Sequence, residues 1–157
     1  MESILAIAWK GEVMTEIWRD VVGFEDAYQV SNMGRVKSKS RLVAMSASHK
    51  SVAYLSRREG RLLKPGRART GYFTVALGRG NSRTLHSLVA EAFIGPCPDG
   101  HEVLHIDGTR TNNCADNLRY GTRHENIMDA VRHGSWMTDE RRQALDKGRQ
   151  TRWGDRW

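Results

Sequence analysis

The first clear alternation of hydrophobic and polar residues along the chain predicts a small β-hairpin. Tyr28 and Val30 alternate with Gln29 and Ser31, as in a short strand that is buried on one side. Residues 32–34, Asn-Met-Gly, follow as a turn because Asn and Gly tolerate positive φ, and residues 35–38 alternate again as the return strand. Residues 1–15 show no period, so we interpret them as an N-terminal extension.

The middle of the chain contains a segment without a clear pattern, a second hairpin and a helix. Residues 43–60 are rich in Ser, Ala and basic side chains and are predicted to form a loop or an insertion. Residues 71–77 form a β-rich run that ends at a Gly-Arg-Gly turn signal. Apolar residues that recur at spacings of three and four predict a helix that stops at Gly95-Pro96; they are Leu85, Leu88, Val89, Ala92 and Phe93.

A strand, a long polar loop, a second strand and the start of a capped helix are predicted next. The two strands are residues 102–105 and 117–121, and the loop between them, 107–116, is rich in Gly, Thr and Asn. Thr122 and Glu125 have the spacing of a capping box, in which each side chain accepts a backbone N–H of the new helix.

The helix after this capping box is predicted to bury one face. Ile127, Ala130 and Val131 form that face, and Gly134 ends the helix in a left-handed conformation. A last segment, 138–150, has acidic residues in its first turn and basic ones in its last, which fits a C-terminal helix. Short strands followed by helices place the chain in the α+β class.

Composition excludes several classes of protein. Apolar residues make up 39% and charged residues 27% of the chain, as in a globular protein. The apolar run Ile4–Trp9 is too short for a transmembrane helix or a signal sequence, so we expect no membrane partner and a cytoplasmic location. The two cysteines, Cys97 and Cys114, cannot form a disulfide framework, and without a Cys-x-x-Cys pair no structural zinc is expected.

The net charge of +7 is concentrated in the centre of the chain. Residues 35–69 carry 11 Lys and Arg against one acidic residue, a net +10, which suits contact with the phosphates of a nucleic acid; a solvated basic loop is the alternative. The candidate DNA contacts are Arg35, Lys37, Lys39, Arg41, Arg57, Arg58, Arg61, Lys64, Arg67 and Arg69. The first four alternate and are expected to project from one face of a strand, whereas Arg119 and Arg123 are candidate phosphate clamps.

Three polar residues of the 102–134 unit carry the chemistry needed for phosphodiester hydrolysis. His105 ends one strand and suits a general base because its ordinary pKa lies near neutrality. Asn126, in the first turn of the helix, offers an amide oxygen of the kind that Mg²⁺ accepts. Asn117 can bridge the loop and hold the carbonyl or the ring of His105 in place.

These residues, with their neighbours, resemble the ββα-metal motif, or His-Me finger, of HNH endonucleases from the phage and intron homing subgroup. The resemblance rests on His105-Ile-Asp-Gly, Asn112-Asn113, Asn117-Leu-Arg-Tyr and Glu125-Asn126. It extends to the helix Leu85–Phe93 and to residues 16–39, which resemble the small nuclease-associated module of such enzymes.

The resemblance implies a fold, a set of roles and a reaction. A DNA-binding β module at 16–69 would precede a nuclease core at 70–134, whose ββα-metal motif is 102–134, and a C-terminal helix or tail at 135–157. His105 would be the general base, Asn117 the residue that steadies the site and Asn126 a ligand of Mg²⁺ or Mn²⁺. The expected activity is metal-dependent nicking or double-strand cleavage of double-stranded DNA by a monomer or weak dimer, in the cytoplasm of a bacterial or phage-infected cell.

The chain departs from the family pattern at one position. Many family members have Asp or His just before the base as a second metal ligand, whereas this chain has Leu104. Either the metal is held by one protein ligand with waters and DNA phosphates, or the chain is a catalytically decayed DNA-binding protein that acts as a regulator or packaging accessory. Asp107 and Asp116 could substitute as ligands but are interpreted as turn residues that accept loop N–H bonds.

Two further histidines are interpreted as structural. His133 lies seven residues after Asn126, about 10 Å along a helix, and is expected to be too far away to share its ion. His86 precedes an apolar helical face and is expected to be packed and hydrogen-bonded, with a role near the scissile phosphate as the alternative.

Overall fold

The computed structural model describes residues 6–9, 12–46 and 53–134 of the chain. In this part the strands form five antiparallel sheets, each made of strands that are consecutive in the sequence. The strands are β1 (Ala6–Trp9), β2 (Glu12–Thr15), β3 (Trp18–Asp20), β4 (Tyr28–Ser31), β5 (Val36–Ser38), β6 (Arg41–Ser46), β7 (Ala53–Arg58), β8 (Gly66–Arg67), β9 (Phe73–Ala76), β10 (Ser82–Thr84), β11 (His101–His105) and β12 (Leu118–Thr122). The helices are α1 (Leu85–Phe93) and α2 (Arg123–Arg132), and a 3-10 turn covers Ala115–Asn117.

The predicted N-terminal hairpin is confirmed as β4–β5, and β3 adds a third strand to it. Val30 lies opposite Val36 in the register, and both side chains are buried. The alternation of basic residues does not continue through one strand, however, because β5 ends at Ser38 and the next strand begins at Arg41. The prediction that four basic side chains share one strand face is therefore wrong.

A single core lies beneath the hairpin and the later elements. The predicted helix is confirmed as α1, and its residues Leu88 and Val89 are at most 1% exposed. They pack in one cluster with Val30 and Val36 of the hairpin and with Leu118 of β12. The turn of the hairpin is also tied directly to the later loop, since the Ala115 N–H donates to the Asn32 carbonyl at 2.8 Å. The hairpin module and the ββα unit are thus packed against each other through α1.

Residues 43–60 are more regular than the sequence indicates. Strand β6 pairs with β7 from Arg41 opposite Arg58 to Ser46 opposite Ala53; residues 47–52 lie outside the described part. The prediction of a loop is wrong here, and the reason is burial. Leu42, Tyr54 and Leu55 are each more than half exposed, and no described side chain of the two strands is buried, so the hairpin lacks the buried apolar face on which strand prediction depends.

The two ends of the chain differ in how far they are described. In the extension for which the sequence shows no period, β1 pairs with β2. The C-terminal helix predicted at 138–150 lies outside the described residues. Neither of the two described helices is long and apolar enough to cross a membrane.

The predicted ββα unit is present, with small shifts. Strand β11 runs antiparallel to β12 with His105 opposite Leu118, and Asn117 lies in the 3-10 turn just before β12. The capping box is confirmed: the Thr122 N–H donates to Glu125 at 2.7 Å, and the Glu125 N–H donates to Thr122 at 3.3 Å. Val131 is 51% exposed, so the prediction that it belongs to the buried face of α2 is wrong. Helix α2 therefore lies over the hairpin on a narrow face.

Candidate functional site

His105 is held on several sides at the end of β11. Its side chain is almost completely buried, and its Nε2 lies 3.1 Å from Asn113 Oδ1. The ring of Tyr72 stacks on it at 6.0 Å between centroids, and the ring of His86 meets it edge-on at 5.3 Å. These contacts leave the imidazole little freedom to rotate.

The partner of His105 also determines which ring nitrogen carries the proton. Asn113 Nδ2 donates to the Thr111 carbonyl at 3.2 Å, which orients the amide so that its oxygen faces His105. An amide oxygen only accepts, so His105 Nε2 must donate to it. The other nitrogen, Nδ1, then has the free lone pair and can accept a proton.

Replacing Asn113 with Ala is expected to remove the preference of His105 for the tautomer that is protonated at Nε2. In ¹⁵N NMR spectra of the wild type at alkaline pH, we expect His105 to show a single Nε2–H form. The Asn113→Ala variant loses the acceptor and should show a mixture of both neutral tautomers. Asn81→Ala removes an amide from the exposed turn between β9 and β10 and serves as control. A single unchanged tautomer in Asn113→Ala would contradict the assignment.

Asn117 supports the loop that follows His105. Its Oδ1 accepts from the Asp107 N–H at 3.1 Å, and its Nδ2 donates to the Asp107 carboxylate and to the Asn112 carbonyl, both at 2.9 Å. The carbonyl of His105 instead accepts from the Gly108 N–H at 3.0 Å. The sequence predicted that Asn117 holds the ring or the carbonyl of His105 directly, and this is wrong. Asn117 instead stabilises the loop whose Gly108 N–H binds that carbonyl.

Asp107 is a turn residue, as predicted. Its carboxylate accepts from the Thr109 N–H at 2.7 Å and from Asn112 Nδ2 at 2.8 Å, in addition to Asn117. Burial raises the pKa of this carboxyl, but the hydrogen bonds from Asn112, Asn117 and Thr109 outweigh it and hold the pKa below its ordinary value. The Asp107 carboxylate is thus committed to the loop.

The structure brings His105 and Asn126 to the same cavity. This cavity has a volume of about 100 Å³ and is also lined by Leu104, Arg110, Asp129 and His133, among others. His133 lines the cavity as well, because seven residues are close to two helical turns, which puts its side chain on the same side of α2 as Asn126. That it lies too far from Asn126 to share its ion stays a prediction. Its ring packs on Gly108, where an added Cβ would lie 2.8 Å from Nδ1.

Leu104 is a packed residue on the opposite side of β11 from His105's aromatic neighbours. It is 3% exposed and lies directly opposite Arg119 in the register. Gly121 leaves room for it, since a Cβ there would come within 2.5 Å of Leu104 Cδ1. Glu102 projects from the same face by strand alternation and accepts a hydrogen bond from Asn126 Nδ2 at 2.7 Å.

The predicted DNA contacts fall into two groups. One group is paired with acids: Arg35 with Glu16, Lys39 with Asp20, Arg57 with Glu59, and Arg119 with Asp129 and Glu125. Among the described residues the other group has no acidic partner within ion-pair distance; it comprises Lys37, Arg41, Arg58, Arg61, Lys64, Arg67, Arg69 and Arg123. Lys37 and Arg41 instead lie over the rings of Trp18 and Tyr28, at 4.2 and 5.3 Å from the ring centres.

Arg110 is a cation of the site that the sequence analysis missed. Its guanidinium lies 5.2 Å from the centre of the Tyr72 ring, and its Nη1 donates to the Thr70 carbonyl at 2.9 Å. It lines the cavity together with His105. Its position five residues after His105, in the loop of the ββα unit, was the available sequence signal. Tyr72 was missed as well, because nothing local in the sequence connects it with His105.

Two family models match the chain. The NUMOD4 motif covers residues 16–78, and the HNH endonuclease model covers residues 83–128. The second match contains His105, Asn117 and Asn126, and the first contains the basic segment. The order of the two matches agrees with a β module ahead of the ββα unit.

Two proteins are similar in sequence to about three quarters of this chain. DNA endonuclease I-HmuI of Bacillus phage SP01 is 31% identical over 121 residues, which cover 75% of this chain and 59% of I-HmuI. An uncharacterized HNH endonuclease of Acanthamoeba polyphaga mimivirus is 32% identical over 125 residues, which cover 74% of this chain and 26% of that protein. The chain thus spans less than two thirds of these relatives.

The structural comparison extends over most of the chain. A solved structure described as DNA binding and cleavage by the HNH homing endonuclease I-HmuI superposes with a TM-score of 0.60 at 28% identity. The superposition covers 83% of this chain and 66% of that one. Residues 16–78 thus match the NUMOD4 motif and residues 83–128 the HNH endonuclease family, and over most of its length the chain is similar in sequence and in fold to the HNH homing endonuclease I-HmuI.

Proposed function

We propose that this protein is a metal-dependent DNA endonuclease that hydrolyses phosphodiester bonds. The observation that carries the proposal is the shared cavity of His105 and Asn126, with a base whose Nδ1 is free and an amide that can bind a cation. I-HmuI, which is similar over 75% of this chain, is named a DNA endonuclease. The solved I-HmuI structure is described as binding and cleaving DNA.

His105 acts as the general base. Its Nδ1 takes a proton from water, the water oxygen forms a bond to phosphorus, and the bond from phosphorus to the leaving 3′-oxygen breaks. Asn113 and the Tyr72 ring keep the imidazole in the orientation and tautomer that this transfer needs. Asn117 stabilises the loop behind it, and Arg110, the arginine that lines the cavity, offers positive charge to the phosphate.

The residues at the cavity fit a divalent cation such as Mg²⁺ or Mn²⁺. In the described part of the chain no group of three or more His, Cys, Asp and Glu side chains is arranged to hold a metal. A cation at this cavity would therefore need ligands from water or from the substrate in addition to protein atoms. Mg²⁺ commonly keeps several waters and binds through one or two protein oxygens and substrate phosphate. The Asn126 amide at a cavity of about 100 Å³, which has room for a few waters, meets that requirement. A bound cation would supply stabilisation of the charge that develops on the phosphate and the leaving oxygen.

Double-stranded DNA is the proposed partner. The basic side chains without an acidic partner among the described residues extend from Lys37 in the hairpin module to Arg69 just after β8, and Arg123 begins α2 directly after β12. These side chains would bind phosphates and hold the duplex, with the ion-paired lysine and arginines in a supporting role. One site of this kind in the described part of each chain favours nicking by a monomer, and double-strand cleavage would need a weak dimer or a second encounter. The cytoplasm of a bacterial or phage-infected cell would supply the DNA.

Incubation of the protein with supercoiled plasmid tests the proposal. With Mg²⁺ or Mn²⁺ we expect conversion to the open circular form, and with EDTA we expect none. The product ends should carry a 5′-phosphate, because the bond to the 3′-oxygen breaks. Absence of nicking with every divalent metal, at protein concentrations where a gel shift shows bound DNA, would overturn the proposal.

A second function has a specific observation in its favour. Leu104 fits closely over Gly121, which suits a site that has lost a metal ligand and repacked as a DNA-binding regulator or packaging accessory. Such a protein would bind duplex DNA without metal and would not cleave it. Its binding should weaken steeply with salt, because released counterions drive phosphate contacts.

A further inference from the structure

A carboxylate that the sequence did not indicate, that of Glu102 on β11, lies against the amide of Asn126 on α2. Glu102 Oε1 lies 2.7 Å from Asn126 Nδ2. Glu102 is two residues before Leu104, so strand alternation places both on the face of β11 that α2 covers. This is the face on which the usual ligand just before the base would project.

The separation between these two side chains suits shared coordination. Adjacent oxygen ligands of an octahedral Mg²⁺ lie about 3 Å apart, given metal–oxygen distances of about 2.1 Å. If the Asn126 amide rotates by half a turn, its oxygen takes the place that its nitrogen now occupies next to Glu102. Two oxygens, one of them anionic, would then face each other where Asn126 and Glu102 now share a hydrogen bond.

The other carboxylates near Asn126 already bind arginines or groups of their own loop, and in this respect Glu102 differs from them. Asp129 also lines the cavity, but its two oxygens accept from Arg119 at 2.5 Å and from Arg132 at 2.8 Å. Asp107 is bound by three groups of its own loop. The hydrogen bond of Glu102 is to Asn126 itself, and no ion pair in the described part of the chain includes Glu102.

We propose that Glu102 supplies the carboxylate that position 104 lacks and holds the divalent cation together with Asn126. The carboxylate ligand would then be at position 102 instead of position 104, two residues away on the same face of β11. Leu104 can therefore be a packing residue without loss of the metal site. This inference rests on the proposed function, because it assigns a residue to the metal of that reaction. It also removes the need to read Leu104 as a sign of decay.

Mn²⁺ binding to the full chain tests the proposal without relying on cleavage. Free Mn²⁺ can be counted by electron paramagnetic resonance during titration of the wild type, Glu102→Gln and Glu102→Asp. Glu102→Gln keeps the size and a hydrogen-bond acceptor for Asn126 but removes the charge, and we expect its affinity to fall at least tenfold. Glu102→Asp keeps the charge but withdraws it by one methylene, and we expect a smaller loss. Thermal unfolding checks that each variant is folded.

Asp26→Asn is the matched control, because it removes one carboxylate from an exposed turn of the hairpin module. Its affinity for Mn²⁺ should equal that of the wild type. If both Glu102 variants also bind Mn²⁺ like the wild type, or if the wild type binds none, the assignment of Glu102 is overturned. Plasmid nicking by the wild type in either case would leave the proposed function standing, whereas absence of both binding and nicking would overturn the two together.

Discussion

Replacing His105 with Ala should lower the rate of DNA cleavage by about two to four orders of magnitude, the range that general-base catalysis contributes in enzymes. In the proposed mechanism the imidazole is the base, because it lines the cavity with a free Nδ1 and is held in one orientation by Asn113 and Tyr72. DNA binding should change little, because His105 is almost completely buried at the end of β11. The measurement is the single-turnover rate of plasmid nicking with saturating protein and Mn²⁺.

Two additional measurements separate catalysis from folding in this variant. Added imidazole can enter the space that the missing ring leaves, and it should restore part of the rate to His105→Ala. His101→Ala removes a histidine from the other end of the same strand, where its ring bonds the Asp99 carbonyl, and it should nick at the wild-type rate. Full activity of His105→Ala would refute the assignment of the base.

The parts of this site that follow from the sequence are those with local signals. The capping box at Thr122 and Glu125 fixes where α2 begins, and this in turn places Asn126 in its first turn beside β11. His105 and Asn126 were therefore predicted to meet from a span of about 30 residues that folds as one unit. Val131 was misplaced in the same helix because a helix on a two-stranded hairpin buries a narrower face than periodicity assumes.

The contacts that control His105 could not be predicted in this way. Tyr72 and His86 reach its ring from residues before β9 and from α1, so their approach depends on how the core packs. Glu102 could have been found by counting back two residues from Leu104 along the strand, a signal that was present but unused. The β6–β7 hairpin carried no comparable signal, since Leu42, Tyr54 and Leu55 are exposed and no described side chain in it is buried.

Acidification should destabilise the folded chain through His86 before the carboxylates begin to titrate. Burial, with a smaller contribution from the nearby His105, lowers the pKa of His86 from 6.5 to about 4. Its Nδ1 is buried and has no hydrogen-bond partner among the described residues. The unfolded chain therefore takes up a proton near pH 6.5, whereas the folded chain resists protonation until about pH 4. Stability is constant above this window and falls as the pH drops through it.

The expected loss between pH 6.5 and pH 4 is about 2 kcal/mol, since a full shift of this size is worth about 3 kcal/mol and partial solvent access to the ring reduces it. Urea unfolding at pH 7, 6 and 5 measures the part of this loss that falls where carboxyl groups stay ionised. His86→Phe keeps an aromatic ring against Tyr72 but cannot be protonated, so its unfolding free energy should depend less on pH. His101→Phe replaces an exposed histidine and should retain the wild-type slope. If the unfolding free energy of the wild type and of His86→Phe depends equally on pH, then His86 is protonated in the folded state as easily as in the unfolded one. That result would contradict the close packing of Tyr72, His86 and His105.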